Sequence, residues 1–443
     1  MMKKLLYLSL ILPFAVNAQW TSQATGFSAA STGVESINII DANTVWALGY
    51  DGSSSTPANF QLFTRTTNGG TSWTSGAVTI GNAALELTNL SAVNATTAWV
   101  GAVSATNGMG GVWKTADGGS TWTQQNATAY TNASSFFNVV HFYDDMNGIT
   151  QGDPITTTDF EVYKTVNGGA VWTPVPASAM PNIVSGEWGY NGGNVAAGNS
   201  FWFVTNKGNI YKTPDMGVTW NKYSTPISDF SGTNVGGSLY FSDNNNGVLL
   251  ARTGAVATAT YKLYKTTNGG MTWDAGTNYT SIYRTFSFIP GTSTLVGNGT
   301  DGTTYSSAVS YDMGTTWTQL DSGTQRTGVK FLNTTTGWSG GFTTSATADG
   351  IFKYTGPALG SSSFEAIGIN IYPNPVNDIF VIESANNSSI TALTISDVNG
   401  RTVKTINGIS ISNQISISEL NKGIYFLNIT SDKGTATKKI IKN

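Results

Sequence analysis

The side chains best suited to bind a ligand lie in one short segment and at two arginines. The segment Gly186-Glu187-Trp188-Gly189-Tyr190 places a tryptophan next to a carboxylate and close to a second aromatic ring. Such a tryptophan can stack on a sugar or a peptide. Arg284 and Arg326 hold equivalent positions in successive sequence repeats. We therefore predict one binding site with Glu187, Trp188, Tyr190, Arg284 and Arg326; local packing and salt bridges among the loops are the alternative explanation.

The sequence contains no pattern typical of a catalytic or metal site. His141 is the only histidine and cysteine is absent, so neither a catalytic dyad nor a zinc site is supported. The apolar residues around His141 predict a place in the core or in a channel lining. Residues 144–148 and 243–247 faintly resemble calcium loops, but they align with the plain hairpin turn at residues 333–337. We expect no catalytic residue, no metal and no cofactor.

An eight-residue box that ends in tryptophan occurs six times and organises the chain. Successive box tryptophans lie 49, 50, 48, 53 and 44 residues apart, and a period near 50 predicts a repeat architecture. The third box position is aspartate in three copies and asparagine in three. Because asparagine cannot act as a general acid, we interpret this position as a hydrogen-bond acceptor in a hairpin loop. The third and last residues of the boxes are Asn68 and Trp73, Asp117 and Trp122, Asn167 and Trp172, Asp215 and Trp220, Asn268 and Trp273, and Asp312 and Trp317.

A basic residue precedes nearly every box. We predict that these side chains are solvated and lie on the third strand of each unit, with their apolar stems over the sheet. A ring of cations that binds a ligand is the alternative. The residues are Arg65, Lys114, Lys164, Lys212, Lys265 and Lys353, and Val309 is the exception.

Two strand-like segments joined by a polar turn precede each box, and such pairs occur seven times. The seventh unit ends at Tyr354 without a box, whereas Gln19-Trp20-Thr21 matches the Trp-Thr that closes several boxes. We predict that this N-terminal segment is the outermost strand of unit seven, with Trp20 beside Tyr354. Residues 19–355 then form an all-β, seven-bladed β-propeller closed into a ring. Its first strands line a central channel, and we expect Arg284 and Arg326 at one mouth of that channel.

The boxes resemble the Asp-box, or bacterial neuraminidase, repeats of sialidases, sortilin-type receptors and xyloglucanase-type glycosidases. The blade pattern is most similar to that of photosystem II assembly-factor-like propellers. The resemblance covers residues 19–355 and implies a fold more than a function. A sialidase is expected to carry three arginines around the substrate carboxylate and an Arg-Ile-Pro segment, which is absent here. Xyloglucanase-type enzymes use paired carboxylates, generally on two propellers.

The N-terminus predicts export. Residues 1–18 have the pattern of a signal peptide, with Lys3 and Lys4 before an apolar stretch and Val16-Asn17-Ala18 as a small-residue cleavage site. No later apolar run approaches the roughly 20 residues that a membrane helix needs, so we expect no transmembrane segment. The net charge of −3 provides no electrostatic footprint for nucleic acid.

The composition changes after the propeller. Residues 356–366 read as a linker, and residues 367–443 contain seven short strand-like runs that predict a small Ig-like β-sandwich. This tail resembles the type A C-terminal sorting domain of the Bacteroidetes type IX secretion system. The resemblance implies that the secretion machinery is a partner, and that this domain carries the protein across the outer membrane. The matching residues are Pro373, Asn374, Pro375, Asp378, Gly400, Gly423, Tyr425, Lys438 and Lys439.

We therefore expect an exported protein, secreted or displayed at the cell surface, that binds an extracellular glycan or protein or serves as a scaffold. The alternative is a glycoside hydrolase that acts on extracellular polysaccharide. Few charged residues are expected near the channel, and asparagine replaces aspartate in half of the boxes. Both observations favour binding over catalysis.

Overall fold

The structure is a computed structural model, and it describes residues 19–53, 59–104, 106, 109–125, 129–359, 369–384, 389–397, 401–409, 412–431 and 434–443. The predicted signal peptide, most of the predicted linker and Gly400 lie outside these residues. Apart from two short 3₁₀ turns, Ala177–Ala179 and Val256–Thr258, the regular elements of the described chain are β-strands. The all-β prediction is confirmed.

The first 28 strands form seven four-stranded antiparallel blades. Five sheets have four strands each, and one eight-stranded sheet divides into two groups of four that meet at a single pairing, Gly33 with Phe342. The strands are β1 (Trp20–Ala24); β2 (Thr32–Ile39), β3 (Val45–Asp51), β4 (Leu62–Thr66) and β5 (Thr74–Ala77) in blade one; β6 (Leu85–Ala92), β7 (Ala98–Ser104), β8 (Gly110–Thr115) and β9 (Thr123–Gln124) in blade two; β10 (Phe137–Phe142), β11 (Gly148–Gly152), β12 (Glu161–Thr165) and β13 (Thr173–Pro174) in blade three; β14 (Gly189–Ala197), β15 (Ser200–Thr205), β16 (Asn209–Thr213) and β17 (Asn221–Ser224) in blade four; β18 (Val235–Phe241), β19 (Gly247–Thr253), β20 (Thr260–Thr266) and β21 (Thr277–Asn278) in blade five; β22 (Tyr283–Phe288), β23 (Leu295–Thr300), β24 (Tyr305–Ser310) and β25 (Thr318–Ser322) in blade six; and β26 (Val329–Asn333), β27 (Thr336–Ser345) and β28 (Ala348–Tyr354) in blade seven.

The N-terminal strand completes blade seven. β1 pairs antiparallel with β28, from Trp20 opposite Tyr354 to Ala24 opposite Gly350. The indole of Trp20 is buried, and its Nε1 donates to the Ser307 hydroxyl of blade six at 3.0 Å. The predicted ring closure and the count of seven blades are confirmed.

Strand direction divides the connecting loops between two faces of the propeller. Each blade alternates up and down, so the loops that lead into first strands share a face with the loops between second and third strands. We call this the mouth face. The turns between first and second strands and the six boxes lie on the opposite face, which we call the box face.

Each box is a closed loop of hydrogen bonds. In the second box, the Thr115 hydroxyl donates to Asp117 at 2.9 Å and accepts from the Gly119 N–H at 2.8 Å, while Asp117 accepts from the Thr121 N–H at 2.9 Å. The same three bonds recur in the other boxes, whose third residues are Asn68, Asn167, Asp215, Asn268 and Asp312. Asparagine and aspartate are interchangeable here because each offers the same acceptor oxygen.

Glycine is required at the fifth box position. Gly119 has a φ of +92°, and a Cβ there would lie 2.0 Å from Cζ of Phe63 in the preceding blade. The box tryptophans pack between blades as well. Trp73, Trp122, Trp172 and Trp220 are buried, whereas Trp273 and Trp317 are half-buried.

The bases before the boxes connect neighbouring blades. Lys114 Nζ donates to the Gly168 carbonyl of the next blade at 3.0 Å and lies 4.9 Å from the ring of Trp99, a buried tryptophan on its own second strand. Arg65, Lys212, Lys265 and Lys353 likewise donate to carbonyls of the following blade. These bases lie on third strands as predicted, but the prediction that they are solvated is wrong for these five. Their charged groups donate to carbonyls at the contact between blades, while their apolar stems lie over the sheet.

The last seven strands form two sheets around a common core. The strands are β29 (Ile369–Tyr372), β30 (Ile379–Ser384), β31 (Ile390–Asp397), β32 (Thr402–Ile409), β33 (Ser412–Ser416), β34 (Gly423–Ser431) and β35 (Gly434–Lys442). The sheet orders are β29-β30-β33 and β32-β31-β34-β35. Phe380 and Ile382 from one sheet and Leu393, Leu427 and Ile429 from the other are fully buried together. This is the predicted β-sandwich.

Candidate binding site

A pocket opens on the mouth face where blades three, four and five meet. It has a volume of about 630 Å³. Its aromatic walls come from β14 and from the loops that lead into the first strands of these blades. Its polar groups come from β10, from the loop after β11, and from Asn191 and Ser231. We call it the mouth pocket and define it by Phe136, Trp188, Tyr190, Phe230, Asn138 and Asp153.

Trp188 is held rigidly, yet its ring faces solvent. Asn206 brackets its backbone: the Trp188 N–H donates to Asn206 Oδ1 at 2.8 Å, and the Asn206 N–H donates to the Trp188 carbonyl at 3.1 Å. The Asn206 side chain also donates to the Gly186 carbonyl at 2.9 Å. Nevertheless 47% of Trp188 is exposed. The Trp188 ring is therefore ordered before a ligand arrives, and it loses little conformational freedom on binding.

Glu187, the neighbour of Trp188, does not reach the pocket. It is only 3% exposed, and its carboxylate accepts from the Thr205 hydroxyl and the Asn209 amide, each at 2.8 Å, and from the Tyr211 hydroxyl at 3.1 Å. The Val184 N–H is a fourth donor, at 2.9 Å. The prediction that Glu187 contacts a ligand is therefore corrected: this carboxylate fixes the loop that carries Trp188.

Asp153 supplies the carboxylate that the pocket presents. Its Oδ1 accepts from the Asn138 side-chain amide at 2.7 Å and from the Gly189 N–H at 2.9 Å. Within the described chain, no hydrogen bond reaches Oδ2 of Asp153. Burial raises the pKa of this carboxyl group, and the two hydrogen bonds oppose that shift. Sequence analysis did not include Asp153 in the site, because its role depends on the bond to Gly189, which joins two blades.

Tyr190 lines the pocket from an irregular part of β14. The strand pairs through Gly189 with Thr205 and next through Asn194 with Phe203, so residues 190–193 form a bulge. Within this bulge Gly192 has a φ of +62°, and a Cβ there would lie 3.0 Å from the Thr88 carbonyl oxygen of blade two. The bulge therefore extends across the channel towards blade two. The Tyr190 hydroxyl donates to Asp229, which orients the ring.

The two predicted arginines lie elsewhere. Arg284 is exposed on β22, and its guanidinium carbon is 4.2 Å from the centre of the Tyr261 ring. Arg326 is buried between blades six and seven, where it forms a bidentate salt bridge with Asp321 and lies over the rings of Trp20 and Phe352. Arg326 borders a second groove of about 970 Å³. Of the five predicted residues, the structure brings only Trp188 and Tyr190 together.

His141 lies half-buried on β10, against two aromatic rings. Its ring lies 4.6 Å from that of Tyr143 and 5.6 Å from that of Phe201, centre to centre. Desolvation lowers the pKa of His141 to about 4, so the side chain is neutral at physiological pH. In the described residues no cluster of three potential metal ligands occurs. No helix in the described part of the chain is both long and apolar enough to cross a membrane.

The predicted sorting residues join the first and last strands of the sandwich. The Asn374 side-chain amide donates to the Lys439 carbonyl at 2.9 Å and its Oδ1 accepts from the Ile441 N–H at 3.0 Å. Asp378 pairs with Lys442 at 3.1 Å. Tyr425 is buried and donates to the Asn421 carbonyl. Pro373 and Pro375 follow cis peptide bonds, Gly423 begins β34, and Lys438 lies on β35.

Comparison with known proteins identifies the C-terminal part. Residues 370–443 match the family model of the secretion system C-terminal sorting domain. No curated protein matches the chain significantly.

The chain is also similar to several solved structures. They include YCF48 bound to D1 peptide, with 13% identity, a TM-score of 0.48, and coverage of 76% of this chain and 97% of that one. PorZ, a surface component of the type IX secretion system of Porphyromonas gingivalis, shows 13% identity and a TM-score of 0.42 over 90% of this chain and 58% of PorZ. The GH74 xyloglucanase from Xanthomonas campestris shows 12% identity and a TM-score of 0.32 over 94% of this chain and 70% of the enzyme. At these values the likenesses say nothing about a ligand or an activity.

The family match and the sheet topology lead to one conclusion. Residues 370–443 are a C-terminal sorting domain of the type IX secretion system, and the protein is a β-propeller that this system exports across the outer membrane to the cell surface or the extracellular space.

Proposed function

We propose that the exported propeller is a binding protein that holds an extracellular ligand, a glycan or a protein, in the mouth pocket. The observation that carries this proposal is the combination of the ordered, half-exposed ring of Trp188 with the open Oδ2 of Asp153 in one pocket. Apolar pockets with a few convergent polar groups are the usual form of ligand sites. Asp153 is the only carboxylate among the described residues that line this pocket, and paired-carboxylate hydrolysis needs two.

We also propose how the chain is divided for export. Residues 1–18 are removed as a signal peptide, residues 19–355 act as the binding unit, residues 356–366 link it to the tail, and residues 367–443 are read by the secretion machinery. The hydrogen bonds of Asn374 to β35 support this division, because they hold the sorting residues near the start of the tail next to those on its last strand.

The test is a ligand screen of the secreted full-length protein on glycan and peptide arrays. Each hit is then measured with Trp188→Ala, which we expect to weaken binding by roughly tenfold or more. Tyr305→Ala is the matched control, because Tyr305 is a similarly exposed aromatic residue that begins a strand at the mouth face and lies outside the pocket. Equal affinities for the wild type and Trp188→Ala would overturn the proposal.

A glycoside hydrolase is the second candidate, and one observation favours it. Glu35 and Glu86 are exposed side chains on the first strands of blades one and two, and partial desolvation together with the charge of Glu86 raises the pKa of Glu35. Two interacting carboxyl groups, of which one has a raised pKa, are a pattern seen in acid and base pairs. If this pair is catalytic, Glu35→Gln abolishes hydrolysis of a polysaccharide that the array identifies. An array hit that the wild type binds without cleaving would exclude this role for that ligand.

A further inference from the structure

The mouth pocket carries one negative charge and no positive charge. No lysine or arginine occurs among the described residues that line it. Arg252 approaches the neighbouring loop, but its guanidinium donates to the carbonyls of Gly232 at 2.7 Å and Thr233 at 3.1 Å. A half-buried carboxylate with one open oxygen is costly unless a positive or hydrogen-donating group pairs with it.

The Asp153 carboxylate can only accept hydrogen bonds, whereas Asn138, Asn191 and Ser231, which also line the pocket, can both accept and donate. One N–H of the Asn138 amide is bonded to Asp153. Behind the pocket wall, Gln151 is 1% exposed, and no described residue donates to its Oε1. This amide lies beside Gly189, where a Cβ would be 2.7 Å from Nε2 and 3.2 Å from Oε1 of Gln151. A ligand group that donates a hydrogen bond or carries a positive charge therefore suits the open Oδ2 of Asp153.

The aromatic walls of the pocket are a second reason to expect a cationic ligand. Four aromatic residues line it, namely Phe136, Trp188, Tyr190 and Phe230. Aromatic faces attract organic cations through the ring quadrupole, most strongly where water is excluded, and tryptophan is the best partner. A carboxylate among several aromatic rings offers a cation both a charge partner and this attraction. A neutral sugar has no charge to pair with the carboxylate or to be attracted by the rings.

We propose, on the basis of the binding function above, that the mouth pocket recognises a compact organic cation: an alkylammonium group, on a lysine side chain or a small quaternary amine. The cation lies among the aromatic rings and pairs with Oδ2 of Asp153. A primary ammonium group can donate a hydrogen bond to Oδ2 of Asp153, and a quaternary one can pair with that oxygen through charge alone. The bulge of β14 extends across the channel beside the site, so the cation reaches it from the mouth face.

The test is calorimetric titration of the full-length secreted protein with three small probes. N-acetyl-lysine-methylamide carries a primary ammonium, tetramethylammonium chloride is a quaternary one, and N-acetyl-norleucine-methylamide is the neutral counterpart of the first. We expect at least one cation to bind and the neutral probe to bind roughly tenfold to a hundredfold more weakly. Tighter binding of the lysine probe would indicate that the natural ligand is a lysine side chain, because only the primary ammonium can donate a hydrogen bond to Asp153. Tighter binding of tetramethylammonium would indicate a quaternary amine.

Variants connect the effect to the pocket. Asp153→Asn keeps an acceptor for the Gly189 N–H, so we expect the fold to persist and the cation affinity to fall roughly tenfold to a hundredfold. Asp159→Asn is the matched control, since this carboxylate lies in the same loop outside the pocket and bonds to Thr156 and Thr158. Trp188→Phe, which retains a ring, is expected to weaken tetramethylammonium binding less than Trp188→Ala does.

Three results would overturn the inference. One is a norleucine probe that binds as tightly as both cations, and another is an unchanged cation affinity in Asp153→Asn that unfolds with the wild-type midpoint. A neutral glycan whose binding depends on Trp188, with no response to either cation, would likewise end the cation assignment. That last result would leave the binding function itself intact.

Discussion

Trp20 and Tyr354 face each other across the pairing of β1 with β28, and their ring centres are 5.3 Å apart. The first described strand of the chain thus closes the last blade. Both rings are buried with Phe331 against the sixth blade. Ring closure is therefore an aromatic contact as well as a set of backbone hydrogen bonds, and it can be tested with single substitutions.

Trp20→Ala should open the ring at blade seven. Loss of the buried indole and of its bond to Ser307 is expected to lower the free energy of unfolding by about 3–5 kcal/mol. Chemical denaturation followed by tryptophan fluorescence measures this change. Trp188→Ala removes the same side chain from a half-exposed position and should cost much less. Similar losses in both variants would contradict the closure role of Trp20.

Arg326 and Asp321 should behave as a coupled pair. Both side chains are largely buried, and either single alanine variant leaves an unpaired charge between blades six and seven. Each should therefore destabilise the protein by about 3–5 kcal/mol. In the double variant Arg326→Met with Asp321→Leu, no charge remains, and stability should largely return. A double variant as unstable as the sum of the single ones would contradict this account.

These two regions show how far sequence reasoning reaches. Repetition predicted the blades, and the Trp-Thr match predicted ring closure, because both depend on residues that recur. The surroundings of Arg284 and Arg326 could not be predicted, although the two positions are equivalent in the repeat. Only Arg326 has Asp321 beside it and the closing strand over it, whereas Arg284 lies exposed on Tyr261.

The contrast between Glu187 and Trp188 has the same origin. Glu187 and Trp188 are adjacent in one loop, yet the first is a buried anchor and the second an exposed ring. Nothing in the local sequence shows which of the two is buried. Their partners, Thr205 and Asn206, lie at the end of β15 and in the turn that follows it, so the orientation of the loop depends on packing against another strand pair. Asp153 was missed as a site residue for a similar reason, since its role depends on Gly189 in the next blade.

Glu187→Ala should weaken binding although the side chain touches no ligand. The substitution leaves the buried donors of Thr205, Asn209 and Tyr211 without an acceptor and frees the loop that carries Trp188. We expect a loss of about 2–4 kcal/mol in unfolding free energy and weaker binding of any mouth-pocket ligand. Glu187→Gln, which keeps one acceptor oxygen, is the milder companion. Unchanged hydrogen exchange in residues 184–190 of the alanine variant would contradict the anchoring role.

The boxes should tolerate asparagine and show a specific acid response. Hydrogen bonds from Thr121 and Thr115 lower the pKa of Asp117 from 3.8 to about 2. A lowered pKa in the folded state means that ionised Asp117 contributes stability above pH 4, and that this contribution is lost as the pH falls from about 4 to 2. Asp117→Asn should have the same free energy of unfolding as the wild type near pH 7. It should not show the loss of stability between about pH 4 and 2 that protonation of Asp117 causes. Urea unfolding at several pH values measures both, and a large loss at pH 7 would show that the charge itself is needed.

His141 offers the clearest pH prediction, because it is the only histidine in the chain. Its pKa is lowered to about 4 by burial beside Tyr143 and Phe201, whereas an unfolded histidine titrates near 6.5. Between these two pKa values the unfolded state therefore binds a proton that the folded state does not bind. The free energy of unfolding should decrease as the pH falls from about 6.5 to 4, by on the order of 2–3 kcal/mol. His141→Phe retains a ring of similar size and should remove this decrease while leaving stability at pH 8 nearly unchanged. The single imidazole resonance in a proton NMR titration measures the pKa directly, and a midpoint near 6.5 would show that the ring is solvated rather than buried.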